Sequence, residues 1–287
     1  MTEKNKNVIC WWSGGVTSAV ACNLSIDLYG KENCRVIFMD TGNEDQDTYR
    51  FKNDCEKWYG IEIETITGIS KKFPNIQSVW RHYKSLNVAN GAICSSTLKR
   101  DVRLKWQKEN TYLHQVFGFD VDEMRRVKSM TLNYPEAKSI YPLLLHGMTK
   151  KDCIKIIEDI GIEIPRAYQL GFHNNNCLTT GCIQGGIGYW QKMQRDHVEK
   201  FNTMSTMEHE LTNAKGKPVT MLKDQSKSRG LVFLKPHPDY PQVKDISMMK
   251  GREPEPLFEC NGFCGINDLS DKTKTETEIN FQTELLL

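Results

Sequence analysis

The chain has 287 residues, with 38 Lys and Arg against 36 Asp and Glu, a formal charge of +2. This length supports one large domain, or one domain with a substantial appendage, and a core of ordinary size. So near-neutral a balance excludes a global field suited to nucleic acid or an anionic membrane, and leaves nucleic acid only local basic patches.

No run of about 18 apolar residues occurs, and MTEKNKNVIC enters a strand-like stretch without the apolar segment of a signal peptide. The expectation is a cytoplasmic protein with no membrane partner. Ten cysteines in a reducing compartment do not make a disulfide framework. Clustered ones then point to metal or redox chemistry, and scattered ones to small core residues.

In chain order, residues 7–12 predict a short buried strand and residues 17–29 a helix with apolar positions at Val20, Ala21, Leu24 and Leu28. A second strand, 35–39, ends in Asp40-Thr41-Gly42, and a helix over 46–59 leads to a third strand near 61–66. Helices are predicted over 76–83 and 98–108, separated by the loop Asn90 to Cys94. A strand over 115–119 delivers Asp120, Asp122, Glu123, Arg125 and Arg126 at its end. A helix over 149–160 opens on Thr149 with Asp152 three residues on, a capping signal, and Gly161 terminates it.

This alternation predicts an α/β fold, a Rossmann-like doubly wound parallel sheet with ligands at the carboxyl ends of its strands. Beyond Pro165 the texture changes to Asn174-Asn175-Asn176, repeated glycines and paired cysteines. We therefore expect a nucleotide-binding domain over 1–165, a Cys-containing appendage, α-rich or irregular, over 166–270, and a polar tail over 271–287.

Ser13-Gly14-Gly15-Val16-Thr17-Ser18 joins the first strand to the first helix. Two consecutive glycines let the backbone turn sharply and present several N–H groups in a concave nest, to which the helix adds its positive end. Such a loop suits phosphate, and Ser13, Thr17 and Ser18 add small hydroxyl donors. An ordinary strand-to-helix turn is the alternative. The loop has neither the Lys of a Walker motif nor the spacing of a dinucleotide fingerprint.

On these residues the chain resembles the PP-loop family of adenine-nucleotide enzymes (adenine nucleotide alpha hydrolase-like), whose loop reads Ser-Gly-Gly-x-x-Ser. Within it the resemblance is to the phosphoadenosine phosphosulfate (PAPS) reductase-like branch. Asp40-Thr41-Gly42 is similar to that branch's Asp-Thr-Gly, Gly118 through Glu123 to its Gly-x-Arg-x-x-Glu-Ser, and Cys94 with Leu98-Lys99 to its Cys-x-x-x-Leu-Lys. The resemblance spans roughly residues 8 to 190 and implies an adenine nucleotide, ATP or a sulfonucleotide, as a small-molecule substrate. Three positions depart from the pattern. Asp120 and Met124 stand where the third segment usually has Arg and Ser, and Thr17 stands where ATP pyrophosphatase members usually carry Asp, which weakens the implication that ATP is cleaved.

Asp40 is placed to accept hydrogen bonds from a ribose or an adenine amino group, with a turn or cap role before Gly42 as the alternative. Lys99, Arg100, Arg125 and Arg126 are candidates to neutralise phosphate or sulfate oxygens, each with a solvated surface charge as its alternative.

Cys177 and Cys182 have four residues between them, and Cys260 and Cys264 three, each pair in a Gly- or Asn-containing loop. Such loops curl thiolates onto zinc or an iron–sulfur cluster, with unligated loop or core cysteines as the alternative. The spacings, looser than those of a zinc knuckle, lean towards [4Fe–4S], as the resemblance does. Relatives in that branch imply a rival ligand set, with Cys94, Cys177 and Cys182 joined by one of the last pair. Glu259-Cys260-Asn261-Gly262-Phe263 is partly similar to the Glu-Cys-Gly-Leu-His of sulfonucleotide reductases, which makes Cys260, beside Cys94, a candidate attacking thiolate served by a thiol reductant.

Three functions follow. The first is sulfur chemistry on an adenylated substrate, by reduction or transfer. The second is an ATP-dependent sulfur transferase acting on a nucleic acid or small molecule. The third is a non-catalytic, metal-stabilised nucleotide-binding module. The sequence is silent on oligomeric state.

Overall fold

A computed structural model describes residues 8–88, 91–225 and 230–257. Strand β1 (Val8–Trp12) is buried at all five positions. It is the middle of a five-stranded parallel sheet with β2 (Cys34–Asp40), β3 (Ile63–Thr67), β4 (His114–Val116) and β5 (Ser139–Ile140), in the order β3-β2-β1-β4-β5. Trp12 is in register with Phe38, and Cys10 with both Val36 and Val116. The two wings of the sheet diverge from β1, so the topological switch point lies at its carboxyl end, where ligands of such sheets bind. The α/β, Rossmann-like class expected from the sequence is the fold observed.

Both faces of β1 are covered, which is why VICWW is apolar throughout rather than alternating. Val8, Cys10 and Trp12 join a core with α1 (Val16–Tyr29), α2 (Gln46–Tyr59) and a later helix, Lys150–Asp159. Ile9 and Trp11 face the opposite core with Trp106, Phe117, Phe119 and Tyr141. The Trp11 indole N–H satisfies itself on the buried Gln115 side chain at 2.7 Å. Cys10, Cys22, Cys34, Cys55 and Cys153 are all buried in the first of these cores; burial pushes the Cys55 thiol up to about 12.

Helix α3 (Ile76–Tyr83) has the bounds its pattern predicts and a capping box between Asn75 and Ser78. Two segments differ from expectation. The helix predicted over 98–108 begins as a π-helical turn at Ser96–Arg100 and becomes α4 only at Asp101–Glu109. Insertions of this kind rotate the residues of one turn, here turning Lys99 inward. The strand predicted over 115–119 pairs regularly only over His114–Val116, although the Phe117 N–H still reaches the Ile140 carbonyl at 3.1 Å. Beyond α5 (Met124–Asn133), helix α6 (Lys150–Asp159) carries the predicted box: the Thr149 N–H donates to Asp152 Oδ2 at 2.8 Å and the Asp152 N–H to Thr149 Oγ1 at 3.3 Å.

The C-terminal part contributes α7 (Ile187–Asp196), α8 (Val198–Lys215) and three short strands, β6 (Leu222–Lys223), β7 (Leu231–Phe233) and β8 (Lys244–Asp245). A third core joins its apolar residues to Phe73, Trp80, Cys94 and Leu98 of the N-terminal part. Tyr189, Trp190 and Met193 are all buried there, as their helical spacing suggests. No helix among the described residues is long and apolar enough to cross a membrane.

Glu208 of α8 is fully buried and accepts the Met221 N–H at 2.8 Å and the Leu234 N–H at 2.7 Å, tying both sides of the small sheet to the helix. Burial pushes its carboxyl up to about 8, against the opposing pull of those two N–H donors. Between its ordinary value of 4.5 and about 8 the folded chain holds a proton that the unfolded chain has lost, so stability falls as pH rises through that window. Glu208→Gln is expected to flatten this slope. Urea midpoints of both proteins at about pH 5 and about pH 8 check it, and equal pH differences in the two would refute it.

Candidate functional site

The turn from β1 into α1 is closed by its own hydroxyls. The Ser13 N–H and Oγ both donate to Ser18 Oγ, at 3.0 and 2.9 Å, and the Ser18 hydroxyl donates to the Gly15 carbonyl at 2.9 Å. Gly14 sits at φ +90°, a left-handed conformation that favours glycine. The N-cap Gly15 has no side chain to satisfy the first helical N–H groups. Of these, the Val16 N–H reaches the Tyr168 hydroxyl at 3.3 Å. Thr17, expected beside the phosphate, is fully buried and its Oγ1 has no hydrogen-bond partner among the described residues.

Gly118 packs directly against the loop. A Cβ built there would stand 2.5 Å from Ser18 Cα and 2.6 Å from Ser18 N. The end of β4 therefore presses bare backbone against the first turn of α1 and sets the loop's position.

At the end of β2, Asp40 Oδ1 accepts the Gly42 N–H at 2.7 Å, and its two oxygens accept the Tyr49 hydroxyl at 3.0 and 3.1 Å. Asp40 thus shapes the Asp40-Thr41-Gly42 turn. Burial first, and the Asp40 charge second, hold the Tyr49 hydroxyl well above its usual range. Thr41 Oγ1 donates to Glu44 Oε1 at 3.2 Å. The same Glu44 oxygen pairs with Lys99 Nζ at 3.2 Å, both side chains buried. Arg126 is likewise buried, ion-paired with Glu123 and stacked over Phe119 at 4.5 Å. Neither Lys99 nor Arg126 is the solvated surface charge that was its alternative reading.

The segment from Asn174 to Cys182 closes over both strand ends. Asn175 Nδ2 donates to the Gly14 carbonyl at 2.8 Å and to Thr48 Oγ1 at 3.0 Å. Asn43 Nδ2 donates to Thr180 Oγ1 at 2.8 Å, and Thr179 Oγ1 to the Glu44 carbonyl at 2.8 Å. Cys177 Sγ lies 3.9 Å from Thr41 Oγ1. Cys94, Cys177 and Cys182 line one small cavity with Ile76, Trp80 and Gly181. The Tyr189 hydroxyl accepts the Cys182 N–H at 2.9 Å.

Three of the cysteines singled out in the sequence are therefore brought to one place, while Cys260 and Cys264 lie outside the described residues. Among the described residues, no group of three or more His, Cys, Asp or Glu side chains is arranged to hold a metal ion. Sequence reasoning missed Glu44, Thr48, Tyr168 and Asn175. The only trace of them was the run of three asparagines, read as loop texture.

Residues 7–95 match the family model described as "Phosphoadenosine phosphosulfate reductase domain". This segment contains the Ser13–Ser18 loop and Asp40-Thr41-Gly42, so the first third of the chain is similar to a PAPS reductase domain. No curated protein matches the chain. Among solved structures, PAPS reductase from Candida auris in a phosphate complex is 17% identical, with a TM-score of 0.45, over 60% of this chain and 81% of that one. NMN synthetase from Francisella tularensis is 14% identical, with a TM-score of 0.37, over 56% and 63%. The NH3-dependent NAD synthetase from Campylobacter jejuni, in complex with a nitrate ion, is 15% identical, with a TM-score of 0.37, over 74% and 85%.

The contact at Gly118 gives a test of how the loop is held. Gly118→Ala is expected to destabilise the protein by about 1–3 kcal/mol, because the added methyl meets rigid backbone. Gly251→Ala, where an added Cβ meets nothing within 4 Å, serves as the neutral comparison. Chemical denaturation of the two variants checks the difference, and equal midpoints would sink the packing argument.

Proposed function

We propose that this chain holds an adenylated, sulfur-bearing substrate on the Ser13–Ser18 loop and carries out sulfur chemistry on it at the neighbouring cysteine cavity. The observation that carries the reading is the 3.9 Å contact between Thr41 of the nucleotide motif and Cys177 of the cavity. Nucleotide and thiols would then share one site.

Three cysteines line the cavity, and thiolate sulfur suits a soft centre; an iron–sulfur cluster is the one we assign, with zinc as the alternative. Cys94, Cys177 and Cys182 would supply three ligands. Cys260 or Cys264 would supply the fourth. Chain reach supports this. The Leu257 N–H is anchored on Asn174 Oδ1 at 3.1 Å, and the three residues on to Cys260 span at most about 10 Å. Such a centre would supply a site that binds and polarises an anionic sulfur group.

In the reductive form, a cysteine thiolate attacks the sulfur of a sulfonucleotide, the new S–S bond forms as the S–O bond to the nucleotide breaks, and the nucleotide phosphate leaves with the electron pair. A thiol reductant then cleaves the S–S bond and releases sulfite. Thr17 argues against the ATP-cleaving form. It offers no carboxylate where ATP pyrophosphatase members usually carry Asp.

Anaerobic purification with iron, sulfide and zinc analysis tests the centre. A brown protein is expected, with a broad absorption shoulder lost in Cys94→Ala and in Cys177→Ala. Colourless protein with stoichiometric zinc would remove the cluster. Thiol-dependent sulfite release from a sulfonucleotide is expected, whereas pyrophosphate release from ATP with an acceptor would favour the transferase.

A further inference from the structure

Asn175 is 4% exposed and sits where the C-terminal part meets the phosphate loop. Its Nδ2 donates both to the Gly14 carbonyl at 2.8 Å and to Thr48 Oγ1 at 3.0 Å. Chemistry fixes the orientation of the amide. Turned over, it would set Oδ1 against the Gly14 carbonyl oxygen, two acceptors facing each other at hydrogen-bond distance.

The Gly14–Gly15 peptide is trans, so its carbonyl and its N–H point in opposite directions. A Gly14 carbonyl drawn to Asn175 therefore turns the Gly15 N–H to the other side of the loop. The clamp also depends on the glycine. A Cβ at position 14 would stand 2.9 Å from Thr48 Cγ2 and 3.5 Å from Asn175 Nδ2, so a larger residue would compete with the amide for the same space.

We infer that Asn175 is a positioning residue of the nucleotide site: by holding the Gly14 carbonyl it aims the Gly15 N–H at a bound phosphate. This rests on the reading that the loop holds a phosphate. Asn175 also precedes Cys177 by two residues, and Cys177 contacts Thr41. The clamp thus ties the cysteine cavity to the phosphate loop from the same short segment, and the position of one sets the position of the other.

The test is isothermal titration of the full-length protein, as wild type, N175A and N175D, with AMP and with adenosine. AMP should bind about tenfold more weakly to N175A, the loss of one buried hydrogen bond. It should bind more weakly still to N175D, whose carboxylate faces both the Gly14 carbonyl and the phosphate. Adenosine affinity should be the same in all three, because the clamp acts only on the group that meets the loop.

Unchanged AMP affinity in N175A would overturn the inference. So would an equal loss for AMP and adenosine, which is what general damage to the fold produces. Should N175D fail to fold, N175A carries the comparison by itself. Wild-type protein that binds adenosine but gains nothing from the phosphate, or that binds neither ligand, would overturn the phosphate reading and this inference together; loss of AMP affinity confined to the variants would support both.

Discussion

The burial of β1 on both faces constrains everything near the site. A strand enclosed by Trp106, Phe117 and Phe119 on one side and by α1 and α6 on the other cannot fray at its end. The chain must pass from extended to helical backbone within Ser13, Gly14 and Gly15, at φ +90° for Gly14. That compressed turn leaves the positive end of α1 uncapped by its own side chains at the switch point of the sheet. Gly118 completes the constraint from the opposite wing, since only a residue without Cβ lets the β4 end lie against Ser18. The anion-suited geometry is thus a by-product of packing a tight core.

The C-terminal part is bound into this arrangement rather than set beside it. Asn175, Thr179 and Thr180 each exchange hydrogen bonds with a strand-end segment of the sheet domain, and Tyr168 accepts from the first turn of α1. Its apolar residues share a core with Trp80, Cys94 and Leu98. Cys94 therefore comes to Cys177 and Cys182 because the helices around it pack together, and a spacing pattern between distant cysteines carries no record of that.

The sheet and its first helices were legible because their signals are local. A five-residue apolar run, a Gly-Gly turn and two amphipathic repeats define β1, α1, α2 and α3 almost to the residue. Where tertiary contact decides, the sequence said less. The π-helical turn at Ser96–Arg100 places Lys99 against Glu44, and no periodicity announces a single inserted residue. The strand at 115–119 was read too long because Phe117 and Phe119 are as apolar as strand residues but serve the core past the end of the regular pairing. Asn175 was unreadable for a related reason. Its partners, Gly14 and Thr48, are 161 and 127 residues away in sequence.

The internal pairing of charge changes what the loop has to do. Lys99 is matched by Glu44 and Arg126 by Glu123, all within the folded interior or at its edge. Buried pairs of this kind cost desolvation on both sides and are weak sources of stability, but they fix the orientation of the segments that carry them. Glu44 shows the effect, because one carboxylate oxygen holds Lys99 and Thr41 together while the Glu44 backbone carbonyl holds Thr179. Cations committed in this way act as struts. An anion held there, as proposed, would meet backbone N–H groups and the dipole of α1, donors that are fixed in direction. Such a site would discriminate by shape and direction more than by net charge, in a chain whose formal charge is only +2.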